Sequence, residues 1–170
     1  MTKLAILLTA VAFAACSPPA PADHPLAAAT ASAPVTVAAL TIENAVARPP
    51  LGGQTTGVGY LVIRNAGDAA DRLVAASSPA TSSIELHKHT MANGVMHMER
   101  VEGVDIPAHG EAVFQPRGLH LMLFNFAPTG AMAPVKLQFE MAGETTVNFA
   151  VAPAGAEDYM KGLNHRKGLN

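Results

Sequence analysis

Apolar and polar residues alternate in short stretches through the middle of this 170-residue chain. Successive side chains of a β-strand point to opposite faces of the sheet, so this alternation predicts strands. Turn residues such as Pro49-Pro50 and Asn93-Gly94 separate the stretches, and no long stretch has helical periodicity. The pattern predicts an all-β antiparallel sandwich or barrel. The nine predicted strands are 40–47, 57–64, 72–76, 83–89, 95–101, 111–115, 119–125, 135–141 and 145–151.

Asn93-Gly94 predicts a tight hairpin between the fourth and fifth strands. A type I′ turn needs positive φ at both central positions, which Asn and Gly adopt most readily. A two-residue loop places His89 opposite Met98. Strand alternation then gathers imidazole and thioether side chains on one hairpin face, namely His87, His89, Met91, Met96 and Met98.

A second strand carries the same pair of chemistries. In 119–123 the leucines point towards the core, so His120 and Met122 project together from the opposite face. Taken alone, each such residue has an ordinary explanation, since methionine fills gaps in cores. Met132 and Met141 are expected to do so, and His97 and His109 are expected not to be ligands.

Four of these residues form the pattern H-x10-M-x21-H-x-M: His87, Met98, His120 and Met122. Thioether sulfur selects copper(I), and imidazole suits copper in either oxidation state. A structural zinc site would bring cysteines, and the one cysteine, Cys16, lies near the N-terminus. A blue-copper electron-transfer site, which uses a Cys thiolate, is therefore disfavoured. The residue types predict copper(I) binding.

The two ends of the chain differ from its body. Residues 1–15 have Lys3 and then a short apolar run, as in an export signal. The sequence Phe13-Ala14-Ala15-Cys16 resembles a bacterial lipobox, which predicts lipidation of Cys16; secretion without a lipid is the alternative. The Pro/Ala-rich segment 16–36 is predicted to be a tether, 37–152 the folded domain, and 153–170 a polar tail.

The charge balance limits the partners. The formal net charge is −2, and no basic run or stripe occurs, so nucleic acid is not an expected partner. The predicted anchor would hold the protein at the periplasmic side of a bacterial envelope membrane. Ser17 follows Cys16 where inner-membrane lipoproteins typically carry Asp, which favours the outer membrane.

Residues 38–151 resemble the PCuAC periplasmic copper chaperones, whose hallmark is this four-residue spacing. The resemblance extends to Gly59-Tyr60-Leu61, Ala70-Asp71-Arg72-Leu73, Glu85-Leu86-His87, Asn93-Gly94-Val95-Met96, Ile106-Pro107-Ala108 and Leu119-His120-Leu121-Met122-Leu123. It implies a cupredoxin-like β-sandwich of Greek-key type that binds one copper(I) per domain. It selects His87, where strand pairing alone favours His89 as the partner of Met98. His89 departs from the Met frequent there, so His89, Met91 and Met96 are auxiliary candidates.

The resemblance also implies a function. It indicates transfer of copper(I) towards the copper A centre of cytochrome c oxidase, to an oxidase subunit or alongside a Sco-type thiol protein. We find no carboxylate or Tyr near the ligand pattern to assist catalysis, so an enzyme is not expected. Copper sequestration at the envelope, with the same ligands and no specific recipient, remains the alternative. A structural lipoprotein without a metal is a further one.

Overall fold

The computed structural model describes residues 32–92 and 94–153. Within these ranges the protein is all-β, with eleven strands and no helix, and so with no helix able to cross a membrane. The strands are β1 Val35–Val37, β2 Leu40–Arg48, β3 Gly57–Asn65, β4 Asp71–Ser77, β5 Ser83–Ala92, β6 Val95–Arg100, β7 Val104–Ile106, β8 Glu111–Phe114, β9 Leu119–Phe124, β10 Met132–Phe139 and β11 Gly143–Val151.

The strands form one sheet that curls into a half-barrel, in the order β6-β5-β9-β8-β3-β2-β11-β10-β4-β7, with β1 beside β2. Most neighbouring strands are antiparallel, as the sequence pattern predicts. Two short pairings are parallel, β11 with β2 and β8 with β9. The predicted all-β fold class is therefore confirmed, and the parallel pairings are an addition to it.

The core lies inside the curl and follows the predicted alternation. In β10, for example, exposed and buried side chains alternate without interruption along the strand. The largest fully buried side chains include Phe114 and Phe149, and the leucines of β9, Leu121 and Leu123, belong to the same cluster. Because alternate residues of β9 are fixed in this core, the residues between them must face the other side.

Strand β5 has two neighbours that meet different parts of it. Its first six residues pair with β9, and its last six pair with β6 across the hairpin. Strand β6 is the edge of the sheet, and all six of its residues are exposed. The turn end of the β5–β6 hairpin therefore extends beyond the core, and there β5 pairs with β6 but not with β9.

Some predictions need correction. Met132 and Met141 are exposed and do not fill the core, because Met132 begins β10 at an outward-facing position and Met141 lies in the turn between β10 and β11. Strand β1 begins at Val35, before the predicted domain start at 37, and the Ser32 hydroxyl accepts a hydrogen bond from the Ala45 N–H at 3.0 Å. The predicted signal segment, Cys16, most of the tether and residues 154–170 lie outside the described residues.

Candidate metal site

Strand pairing brings the predicted metal ligands together on one face. His87 lies directly opposite His120 in the β5–β9 pairing, and His89 lies opposite Met98 in the hairpin. The predicted hairpin pairing is thus the observed one. Two features set this register: the turn, in which Gly94 has φ of 78°, and the pairing of Leu86 with Leu121 in the core. The face carries Glu85, His87, His89, Met91, Met96, Met98, Arg100, His120 and Met122.

His120 is the buried centre of this face, with 4% of its surface exposed. Its Nδ1–H donates a hydrogen bond to the Gly118 carbonyl oxygen at 3.0 Å, which leaves the Nε2 lone pair for another partner. The pKa of His120 is lowered, chiefly because burial disfavours the charged ring, and His89 and His87 add to this effect. The lowered pKa favours the neutral ring, which is the form that binds a metal.

His87 presents a complementary nitrogen. Its Nε2–H donates to the Glu85 carboxylate at 2.9 Å, and Arg100 lies 3.4 Å from the other oxygen of that carboxylate. Such a carboxylate commonly orients a metal-binding histidine through the nitrogen that does not bind the metal. The remaining nitrogen, His87 Nδ1, is buried and has no hydrogen-bond partner.

His89 lies beside the pair. Its ring stacks on the ring of His120 with centroids 4.8 Å apart and an angle of 22° between the planes. His89 Nδ1 is also buried and has no hydrogen-bond partner. In the described part of the chain, His87 Nδ1 and His89 Nδ1 are the only buried side-chain nitrogen or oxygen atoms without a hydrogen bond. Buried polar atoms in proteins are almost always hydrogen-bonded, so two unpaired ring nitrogens on one face indicate a site that binds a further partner.

The two thioethers flank the imidazoles. Met98 is on β6 and is 50% exposed, whereas Met122 is on β9, half-buried, opposite Glu85 and Val58. In the strand register they therefore lie diagonally on either side of the His87–His120 pair, with Met98 towards the hairpin end and Met122 towards Glu85. Methionine has three rotatable side-chain bonds, which allows both sulfurs to adjust to an ion placed between the rings.

The donor set fits copper(I) better than a harder ion. No group of three or more His, Cys, Asp or Glu side chains among residues 32–92 and 94–153 is arranged to hold a metal. A metal on this face would therefore need the thioethers, and thioether sulfur selects copper(I). The residues present fit copper(I), which His87 Nδ1, His120 Nε2 and the sulfurs of Met98 and Met122 would hold.

The two histidines predicted not to be ligands lie elsewhere. His97 pairs with Thr90 and faces away from His89 and Met98. His109 is exposed in a turn, with φ of 51°, and its Nε2 lies 2.8 Å from the Asp68 carboxylate.

Sequence reasoning missed Glu85 and Arg100. The expectation that no carboxylate lies near the ligands is wrong, since Glu85 contacts His87 directly. Strand alternation contained the signal, because Glu85 is two residues before His87 and so shares its face. The role of Gly118 had no such signal, since it acts through its backbone carbonyl.

Solved structures define the class of this domain. The copper-bound PCuAC domain from PmoF2 is 30% identical, with a TM-score of 0.60 over 71% of this chain and 99% of that domain. The apo form of DR1885 from Deinococcus radiodurans, 22% identical, has a TM-score of 0.53 over 89% of this chain and 99% of that protein, which shows a shared fold. The fold is thus the cupredoxin-like β fold of PCuAC domains.

The sequence family carries a different name. The family described as "Putative lipoprotein LpqE-like" matches residues 40–151, and the chain belongs to this LpqE-like family. A relative from Leifsonia xyli subsp. xyli (strain CTCB07), "Putative lipoprotein Lxx21020", is 32% identical over 105 residues, which are 59% of this chain. The match spans 63% of the length of that relative. The solved structures thus confirm the predicted resemblance to PCuAC domains. The sequence family to which the chain belongs is named for lipoproteins instead.

Proposed function

We propose that this protein is a copper(I) metallochaperone of the bacterial envelope, which binds one ion tightly through His87, Met98, His120 and Met122. One observation carries the proposal: the buried, unpartnered His87 Nδ1 lies across the sheet from His120, on the face that carries both thioethers. The copper bound to the similar PmoF2 domain supports the identity of the metal.

The exposure of the ligands suits a carrier. His120 is buried, whereas Met98 sits on an edge strand and is half exposed. A partner's ligand can therefore replace Met98 first, while the imidazoles still hold the ion. Thioethers are neutral and do not compete with protons, so their release needs no proton transfer. We assign no catalytic reaction to this face.

The recipient in this proposal is the copper A centre of cytochrome c oxidase, reached through an oxidase subunit or a Sco-type thiol protein. A thiolate donor binds copper(I) more strongly than a thioether, so the ion would pass from this face towards a cysteine site. The resemblance to PCuAC chaperones supports this direction of transfer.

The anchor is the second part of the proposal. We propose that Cys16 carries a lipid and that the segment after it tethers the domain to a membrane facing the periplasm. The lipoprotein names of the family and of the Leifsonia xyli relative support an envelope location. Ser17 after Cys16 favours the outer membrane where the cell has two.

A growth comparison tests delivery against sequestration. Cells that carry the Met98→Leu and Met122→Leu double variant should lose cytochrome c oxidase activity in low copper, and added copper should restore it. A His97→Asn variant, changed on the opposite face, is the matched control. Normal oxidase activity together with sensitivity to excess copper would contradict delivery and would indicate sequestration.

A further inference from the structure

The end of the β5–β6 hairpin carries methionines that do not serve the core. Met91 is 66% exposed and Met96 is 49% exposed, and no residue of β6 is buried. An apolar side chain on an exposed edge strand is a liability for aggregation, so such strands usually carry charged residues. Packing therefore does not explain why both positions are methionine.

The register places these side chains next to a third soft donor. Met91 lies directly opposite Met96, and directly opposed residues have Cβ atoms about 4.5–5.5 Å apart. His89 precedes Met91 by two residues, so it lies on the same face, adjacent to the methionine pair. These three residues are separate from the four ligands of the proposed first site.

His89 brings the second observation. Its Nδ1 is buried and has no hydrogen-bond partner, although the neighbouring ring of His120 uses its own Nδ1 to bond Gly118. The first site has a complete set of four ligands without His89. Its unpaired nitrogen is therefore left without a role in the first site, and in the strand register His89 is adjacent to both Met98 and the methionine pair.

Two thioethers and one imidazole form a neutral, soft donor set, which selects copper(I) over zinc or a hard divalent ion. The carboxylate on this face, Glu85, lies at its other end and is engaged by His87 and Arg100. We propose that His89, Met91 and Met96 form a second, weaker copper(I) site at the hairpin end. The inference rests on the proposed function for the identity of the metal.

The second site provides a route to the first. Met98, a ligand of the first site, lies directly opposite His89, a ligand of the second. An ion captured by the exposed methionines moves inwards by exchange of one ligand at a time, and it remains copper(I) throughout. The path runs from the exposed Met91 and Met96 to the buried His120.

Titration with copper(I) in the presence of chelators of graded affinity tests the second site. The full chain would carry Cys16→Ser, so that no free thiol competes for the ion. We expect two binding steps, of which the Met91→Leu and Met96→Leu double variant loses the weaker, by at least about tenfold in affinity. His89→Asn should weaken the same step. X-ray absorption should show additional sulfur ligands when the second equivalent binds.

Met132→Leu and Met141→Leu form the matched control, since these methionines are also exposed but lie on other strands or turns. Both steps should remain in that control. A wild-type chain that shows the tight step alone, or a weaker step that survives Met91→Leu with Met96→Leu, would overturn the second site. A wild-type chain with the weaker step and no tight step would support this site and contradict the proposed function.

Discussion

His87 lies directly across the β5–β9 pairing from His120, with ring centroids 5.9 Å apart and 44° between the planes. The backbone hydrogen bonds between β5 and β9, together with the pairing of Leu86 with Leu121 in the core, fix the positions of these two residues before any metal binds. Met98 is half exposed and Met122 is half-buried, and methionine is more flexible than histidine because it has three rotatable side-chain bonds. The proposed site would therefore combine two preset nitrogen ligands with two adjustable sulfur ligands.

Removal of either thioether should weaken the tight copper(I) step. We expect Met98→Leu and Met122→Leu each to lower the affinity at least tenfold, about 1.4 kcal/mol. Leucine keeps much of the volume and apolar character of methionine and lacks the sulfur, so the fold should persist. Competition with a chelator of known affinity measures the change.

His97→Asn and His109→Asn are the controls for that series. His97 faces away from the site, and His109 is exposed beside Asp68. Both variants should bind copper(I) with the wild-type affinity. A large loss in either control, or no loss in both methionine variants, would show that the ligands are not the ones named here.

The burial of His120 predicts how stability depends on pH. Desolvation lowers the pKa of this ring in the folded chain, below its ordinary value of 6.5. Below about pH 6.5 the unfolded chain binds a proton that the folded chain excludes, so the free energy of unfolding of the metal-free protein should fall until the pH reaches the folded-state pKa. Urea unfolding across this range measures the slope.

His120→Gln tests the source of this slope. Glutamine does not titrate, so the variant should be less stable at neutral pH but should lose less stability as the pH falls. Equal slopes in the wild-type chain and the variant would assign the pH dependence to other groups.

Gly57 is expected not to tolerate a side chain, because other parts of the protein lie close to its Cα. A Cβ at this position would come within 2.7 Å of the Arg48 carbonyl oxygen and 2.8 Å of the Phe126 ring. Gly57→Ala should therefore destabilise the fold by about 1–3 kcal/mol, measured by urea unfolding. Gly130→Ala is the control, since nothing lies within 4 Å of its Cβ position. Equal unfolding midpoints in the two variants would contradict this account of β3 packing.

Cys16 makes a prediction that is independent of the metal. Cys16→Ala should abolish metabolic labelling of the protein by fatty acid and change the processing of its signal segment. The variant chain should still bind copper(I), since the four proposed ligands lie far along the sequence. A mature wild-type protein without lipid would contradict the anchor.

The hairpin and its face could be predicted because Asn93-Gly94 permits one tight loop, and that loop fixes every pair in β5 and β6. Strands β1 and β7 could not, since three residues are too short to show alternation. The parallel pairing of β8 with β9 depends on the three-dimensional path of the chain rather than on local pattern.

The sequence predicts which residues share this face but not the contacts between their side chains. Strand alternation places His89 on the observed face. The stacking of its ring on His120 depends on side-chain orientation, and the His120 ring is oriented by its hydrogen bond to the Gly118 carbonyl oxygen. The expectation that Met132 and Met141 fill the core is wrong, because methionine is apolar but its identity alone does not reveal exposure near a turn.

The most direct test of the central claim is X-ray absorption of the Cys16→Ser chain loaded with less than one equivalent of copper(I), so that only the tight site is filled. We expect copper(I) to be coordinated by two sulfur and two nitrogen ligands, with sulfur reduced in Met98→Leu and in Met122→Leu. A shell of nitrogen or oxygen alone, or a chain that loses its copper on dialysis, would contradict it.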